Sequence, residues 1–228
     1  MKLTNTQIEK LYQFTRQHYV EWYDVQTELV DHLANGIEQQ WETKPNIPFD
    51  DALQNEFKKF GVFGFMELLE ERTKSLNKKY FKLVWGMFKQ FFRIPQILSV
   101  TTLFISIYLG FKFLPKSEWV YLFLGLAFFT VIIIRLFKLK KIKEQRFKKT
   151  QKKWLFEEQI LSAGNIVSFS SLLIHIPIHT ASDTYNIIML FIITCFIVLD
   201  YIMIFVLPSK VDELLEKQYP EYNLLVKV

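Results

Sequence analysis

Residues 185–207 read YNIIMLFIITCFIVLDYIMIFVL, with Asp200 the only charged side chain among them. A run of this length and polarity constrains the fold more than any other feature. In hydrocarbon every backbone N–H and C=O must be satisfied within its own segment, and about 20 apolar helical residues cross the membrane core. Three more segments meet that requirement, at about 95–114, 118–137 and 160–178. The 160–178 run is the most polar, with Asn165, Ser168, Ser170, Ser171 and His175; its serines suit close packing between helices. The expected fold is all-α: a small N-terminal helical domain, then a four-helix transmembrane bundle.

Charge orders the connectors. KLKKIKEQRFKKTQKK, residues 138–153, carries Lys138, Lys140, Lys141, Lys143, Arg146, Lys148, Lys149, Lys152 and Lys153 against Glu144 alone. It falls between the second and third apolar runs, as a basic loop. Basic residues also precede the first run (Lys78, Lys79, Lys82, Lys89, Arg93) and follow the fourth (Lys210, Lys217). The connector HTASDTYN has none, and only Lys112, in the last turn of the first run, and Lys116 stand at the connection between the first two runs. Lys and Arg mark the cytoplasmic side of short loops. The expected order is in, out, in, out, in, with both termini cytoplasmic in a bacterial inner membrane. The nine basic residues are then expected to contact anionic lipid headgroups. Trp119, Tyr121, Trp154, Tyr185 and Tyr201 fit an aromatic belt near the span ends.

A net charge of +5 would suit a nucleic-acid binder, but half of the residues are hydrophobic and mean hydropathy is +0.13. Direct nucleic-acid binding is therefore not expected. One cysteine, Cys195, cannot form an intramolecular disulfide, and its apolar surroundings suggest a small hydrophobe. MKLTNTQIEKLYQF lacks the apolar core of a secretory signal.

Residues 1–77 read as helices, with thirteen acidic side chains against eight basic. Thr6-x-x-Glu9 is a capping box, which starts a helix near Gln7 with Ile8, Leu11, Tyr12, Thr15 and Tyr19 in its stripe. Asp24 is a cap for the second helix, where Val25, Leu29, Leu33, Ile37 and Trp41 recur at every fourth position. A third helix starts at Phe49, with Asp50 and Asp51 at the positive end of its dipole, and stops at Gly61. A fourth begins near Phe63. Its basic, aromatic second half, residues 78–93, forms a juxtamembrane segment at the lipid interface. In the cytoplasmic tail, residues 208–228, Ser209-x-x-Asp212 caps a short helix that docks on the membrane or on the N-terminal domain.

EWYDVQTELVDHLANGIEQQW followed by FDDALQNEFKKFGVFGFMELLEE resembles the HAAS domain, a heavily α-helical, signalling-associated family found in bacterial membrane proteins. The matching positions are Glu28, Leu29, Asp31, His32 and Leu33, then Phe49, Ala52 and Leu53, then Phe60 and Gly61. The resemblance covers roughly residues 20–75. Pro48 stands where the family has Ser or Thr before the phenylalanine. The resemblance implies a regulatory membrane protein with a protein partner of the PadR-type transcriptional-regulator class, and no enzymatic activity.

Few side chains suggest chemistry. Glu28, Asp31 and His32 share a helix face and are the weak metal candidates; a structural role suits them better, because no second imidazole follows at metal-site spacing. Asp200 lies inside an apolar run, where a charge is costly and is met by a partner; Arg135, at similar depth, is the expected one, and a protonated Asp200 hydrogen-bonded to Ser or Thr is the alternative. His175, His179 and Asp183 gather near the outer end of the last two runs, with Pro177 interrupting regular helix. No phosphate loop, nucleophile motif or cofactor site stands out, and no cofactor is expected. The expectation is a regulatory or scaffolding membrane protein, possible as a homo-oligomer. The alternative is a small transporter or channel subunit acting as an oligomer.

Overall fold

The computed structural model describes residues 2–113, 118–162, 183–219 and 222. Among these the protein is all-helical, with one isolated backbone bridge and no strand. The chain forms two compact units: Met1–Lys78 with Thr150–Glu158, and Lys79–Lys149 with Gln159–Val228. The expected spans 95–114 and 185–207 fall on helices. The expected 160–178 span lies almost wholly outside the described residues.

In the first unit, α1 (Asn5–Gln17) starts earlier than expected. The working capping box is Thr4-x-x-Gln7: Thr4 Oγ1 accepts from the Gln7 N–H at 3.3 Å, and Gln7 Oε1 accepts from the Thr4 N–H at 2.8 Å. Thr6-x-x-Glu9 meets the same pattern, but the earlier box adds helical hydrogen bonds at the same capping cost. Leu11 and Thr15 are fully buried. Tyr19 is not part of the stripe. It is 82% exposed at φ 65°, in the reversal that follows α1. Gln26 holds that reversal, donating from Nε2 to the Val20 carbonyl at 2.6 Å.

α2 (Tyr23–Thr43) buries the expected Val25, Leu29, Leu33, Ile37 and Trp41, and packs on both α1 and α3 (Phe49–Lys58). Gly36 lies where α2 approaches α3: a Cβ there would stand 2.3 Å from Glu56 Oε2, so a larger residue would have to displace that carboxylate. Glu56 is buried, and its carboxylate accepts from Gln40 Nε2 at 2.5 Å and from Lys59 Nζ at 2.6 and 2.8 Å. Burying that charge is tolerable because both oxygens are paired.

α4 (Met66–Phe91) starts at Met66 rather than Phe63. The delay comes from Gly61 and Gly64, both in the left-handed region at φ 74° and 55°, which keep the connection in turns. α4 then runs unbroken past Lys78, so the expected edge of the juxtamembrane segment falls inside a helix.

In the second unit, α5 (Gln96–Phe113) packs on α8, which begins as Asp183–Tyr201. α8 continues through a π-helical turn, Ile202–Val206, into Leu207–Ser209. α6 (Glu118–Thr150) carries the expected second span and then most of the basic stretch on one continuous helix. The expected basic loop is therefore helical as far as Thr150. Lys, Arg, Gln and Glu are good helix formers, and no Gly or Pro occurs between Gly125 and Gly164 to stop it. α7 (Leu155–Leu161) and α9 (Val211–Gln218) are short.

The two competing capping boxes predict different mutants. Thr4→Ala should lower the unfolding free energy of the first unit by about 1 kcal/mol, whereas Thr6→Ala should be close to neutral. Urea titration followed by circular dichroism checks the order; equal effects would place the cap elsewhere.

Candidate functional site

The most elaborate arrangement of side chains surrounds a segment far from α1 and α2 in sequence. At Gln151 (φ 52°) the chain leaves α6. Lys153 then lies beside the entry to α2, where its carbonyl accepts from the Tyr23 N–H at 2.7 Å. Asp24 Oδ1 accepts from the Leu155 N–H at 3.0 Å. Asp24 thus caps α7, not α2 as expected; Trp22 is the N-cap of α2 and makes no side-chain cap bond. Trp22 Nε1 donates to Glu158 Oε2 at 2.6 Å, which ties the first turn of α7 to the same place.

Hydrophobic burial holds the segment more firmly than these polar bonds. Trp154 is 2% exposed and Phe156 fully buried, with the Trp154 ring edge-on to Tyr23 at 5.4 Å. Trp154 is therefore a core residue of the first unit and not part of an aromatic belt. Around it, Lys153 pairs with Glu21, and Lys152 Nζ sits 3.6 Å from the centre of the Tyr23 ring. The nearby Tyr12 phenol is pushed above its ordinary pKa by burial.

Glu28 pairs with Arg72 of α4, its Oε2 accepting from Arg72 Nε at 2.6 Å. Asp31 and His32 are exposed, and the His32 ring meets Phe60 edge-on at 6.2 Å. The three are not gathered into a ligand set; among the described residues no group of three His, Cys, Asp or Glu is arranged to hold a metal.

The nine basic residues divide. Lys138, Lys140, Lys141, Lys148 and Lys149 are exposed along α6, and Lys143 is half-buried there. Lys152 and Lys153 belong to the first unit, where they meet Tyr23 and Glu21. Arg146 grips the C-terminal region bidentately, donating to both Asp212 oxygens at 2.6 and 2.7 Å and to the Tyr222 hydroxyl at 3.0 Å. Asp212 is therefore engaged by α6, and Ser209 donates to the Val206 carbonyl, so the expected Ser209-x-x-Asp212 cap does not form. These bonds join the start of α9 to α6. The guanidinium bonds hold the Asp212 carboxyl below its usual pKa.

Asp200 is 4% exposed in α8. Arg135 does not pair with it in the expected way. Arg135 Nε donates to the Ile204 carbonyl at 3.3 Å, and its guanidinium lies 5.2 Å from the Phe205 ring centre. The donor to Ile204 in a regular α-helix would be Pro208, which has no N–H. Arg135 supplies a donor where proline withholds one. His175 and His179 lie outside the described residues, and Asp183 is in the first turn of α8.

Sequence reasoning missed the docking of residues 150–158. The available signal was WLF, an apolar triplet placed between the basic run and Glu157–Glu158. Comparison of the chain with protein-family models, with curated proteins and with solved structures finds no match.

Two predictions follow from the geometry of these contacts. Trp154→Ala should destabilise the first unit by about 3–5 kcal/mol. Glu21→Gln breaks only an exposed pair and should shift the transition far less; denaturation of the full chain, read by near-UV circular dichroism, compares them. The lowered Asp212 carboxyl makes the α6–α9 contact strongest above the ordinary carboxylate range near pH 4, and weaker as pH falls through the depressed pKa. Fluorescence transfer from a label at Lys217 to one on α6 should fall on acidification, and Asp212→Asn should abolish the pH dependence.

Proposed function

We propose that this protein is a four-span integral membrane protein of the bacterial inner membrane with both termini cytoplasmic. In this reading its N-terminal helical unit binds a protein partner, in a regulatory or scaffolding role. The observation that carries it is the helix Asp183–Ser209, 27 residues long, whose most apolar 18-residue window has a mean hydropathy of 2.8. Gln96–Phe113 is the second helix among the described residues that is long and apolar enough to cross a bilayer.

Exposed side chains support the same reading. Leu98, Phe113, Phe123 and Phe137 are each at least two-thirds exposed on α5 and α6. Large apolar surface of this kind is unfavourable in water and costs nothing in hydrocarbon. On α6 the apolar half passes directly into the exposed lysines, a change of character that suits a helix leaving the bilayer at an anionic surface.

For the N-terminal unit, support comes from its acidic balance and from the exposed face of α2 that carries Asp31 and His32. The HAAS-like resemblance makes a PadR-type regulator the partner to test. A photoreactive amino acid at Asp31 or His32, activated in cells, should capture such a regulator. Capture only of a second copy of the chain would favour assembly instead. Independently, the chain should resist alkaline carbonate extraction, and a reporter fused before Met1 should be active only in the cytoplasm. An externally active reporter would reverse the topology.

A further inference from the structure

In the second unit a cavity of about 280 Å³ opens between α4 and the final turns of α8. Phe81, Val84 and Trp85 wall it on the α4 side, and Phe196, Leu199, Asp200 and Met203 on the α8 side. Its size is at the lower edge of the roughly 300–1,000 Å³ typical of small-molecule sites. Val84 and Met203 are buried, whereas Phe81 and Trp85 are 56% and 54% exposed. The cavity is therefore closed at its base and open along an aromatic edge.

The chemistry of the walls selects a guest. Apart from Asp200 every lining residue is apolar, and such cavities accept hydrocarbon in preference to water. Phe81, Trp85 and Lys89 are spaced four apart and share one face of α4. Lys89 Nζ stands 5.5 Å from the Trp85 ring centre, which puts a cation beside the open edge. A guest with a hydrocarbon part inside and an anionic part beside Lys89 satisfies both ends. We propose that this cavity holds one acyl chain of an anionic glycerophospholipid, with its phosphate at Lys89. The proposal rests on the membrane reading above, since a bilayer-length helix supplies one wall and the bilayer supplies the guest.

The test reconstitutes the full chain in phosphatidylcholine vesicles containing a minor fraction of phosphatidylglycerol with a photoreactive group at the end of its acyl tail. Mass spectrometry should locate crosslinks at Val84, Leu199 or Met203. A phosphatidylcholine probe should label these positions less by roughly fivefold, the effect of one cation at an anionic surface. Leu199→Trp, which fills the cavity, should remove the labelling while carbonate resistance and helical content persist; Met203→Phe serves the same purpose if Leu199→Trp does not accumulate. Lys89→Glu should abolish the preference for phosphatidylglycerol and leave the apolar labelling in place. Labelling that survives the filled cavity, that spreads evenly over α5 and α6, or that requires a free fatty-acid probe would overturn the site. A chain that carbonate strips from the vesicles would overturn the membrane reading and the site with it. A retained chain without cavity labelling would overturn the site alone.

Discussion

The first unit depends on burial of one tryptophan contributed from far along the chain. α7 has seven residues, too few for a helix to persist in water on local bonding alone, because nucleation is costly and little propagation follows. Packing of Trp154 and Phe156 supplies what local bonding cannot. In return, the segment completes the core around Tyr23 and gives Asp24 an N–H to accept. The polar bonds set direction and register, and the apolar contacts supply the stabilisation. The compact unit is therefore discontinuous in sequence: the chain leaves at Lys78 and returns at Thr150.

Proline imposes the corresponding constraint in the second unit. Pro208 is buried near the end of a long apolar helix and gives the turn before it no N–H. Helices tolerate this where neighbours or local π adjustment satisfy the freed carbonyls. Both compensations occur here: Ile202–Val206 is π-helical, and Arg135 donates to Ile204. The arginine is charged and half-buried, yet its guanidinium has a carbonyl on one side and the Phe205 ring on another. Arg135 therefore marks a repaired backbone defect, and its cost at that position is offset by the cost of the orphaned carbonyl it removes.

Periodic features were readable from sequence because one helix face decides them. Leu29, Leu33, Ile37 and Trp41 occupy the buried stripe their spacing requires, whereas α3 ends at Lys58, short of Gly61, which takes the left-handed conformation in the turn that follows. Capping residues were harder. Asp24 and Asp212 both have the chemistry of a local cap, but each carboxylate is taken by a group more than sixty residues away. A short-range pattern cannot rank a local N–H against a distant guanidinium, since the difference lies in tertiary distance. The basic stretch failed for another reason: charge was read as a sign of loop, although those residue types extend a helix well when no breaker is present. The Arg135–Asp200 match used depth alone, and depth cannot show which way two side chains point.

The basic helix changes how its charge must be interpreted. Spread through a loop, nine cations would act as a diffuse electrostatic anchor. On α6 and its continuation they have separate tasks. Arg146 is spent on Asp212 and Tyr222, and Lys153 on Glu21. The five exposed lysines along α6 keep their ammonium groups at the surface. Beside an anionic surface an exposed lysine would add about 1 kcal/mol, screened within a Debye length. The Arg146–Asp212 and Lys153–Glu21 pairs act at short range, but their carboxylates are exposed, so salt screens them as well. Raising ionic strength should therefore weaken these pairs and leave the first unit folded, because burial of Trp154 and Phe156, which salt does not screen, holds its returning segment.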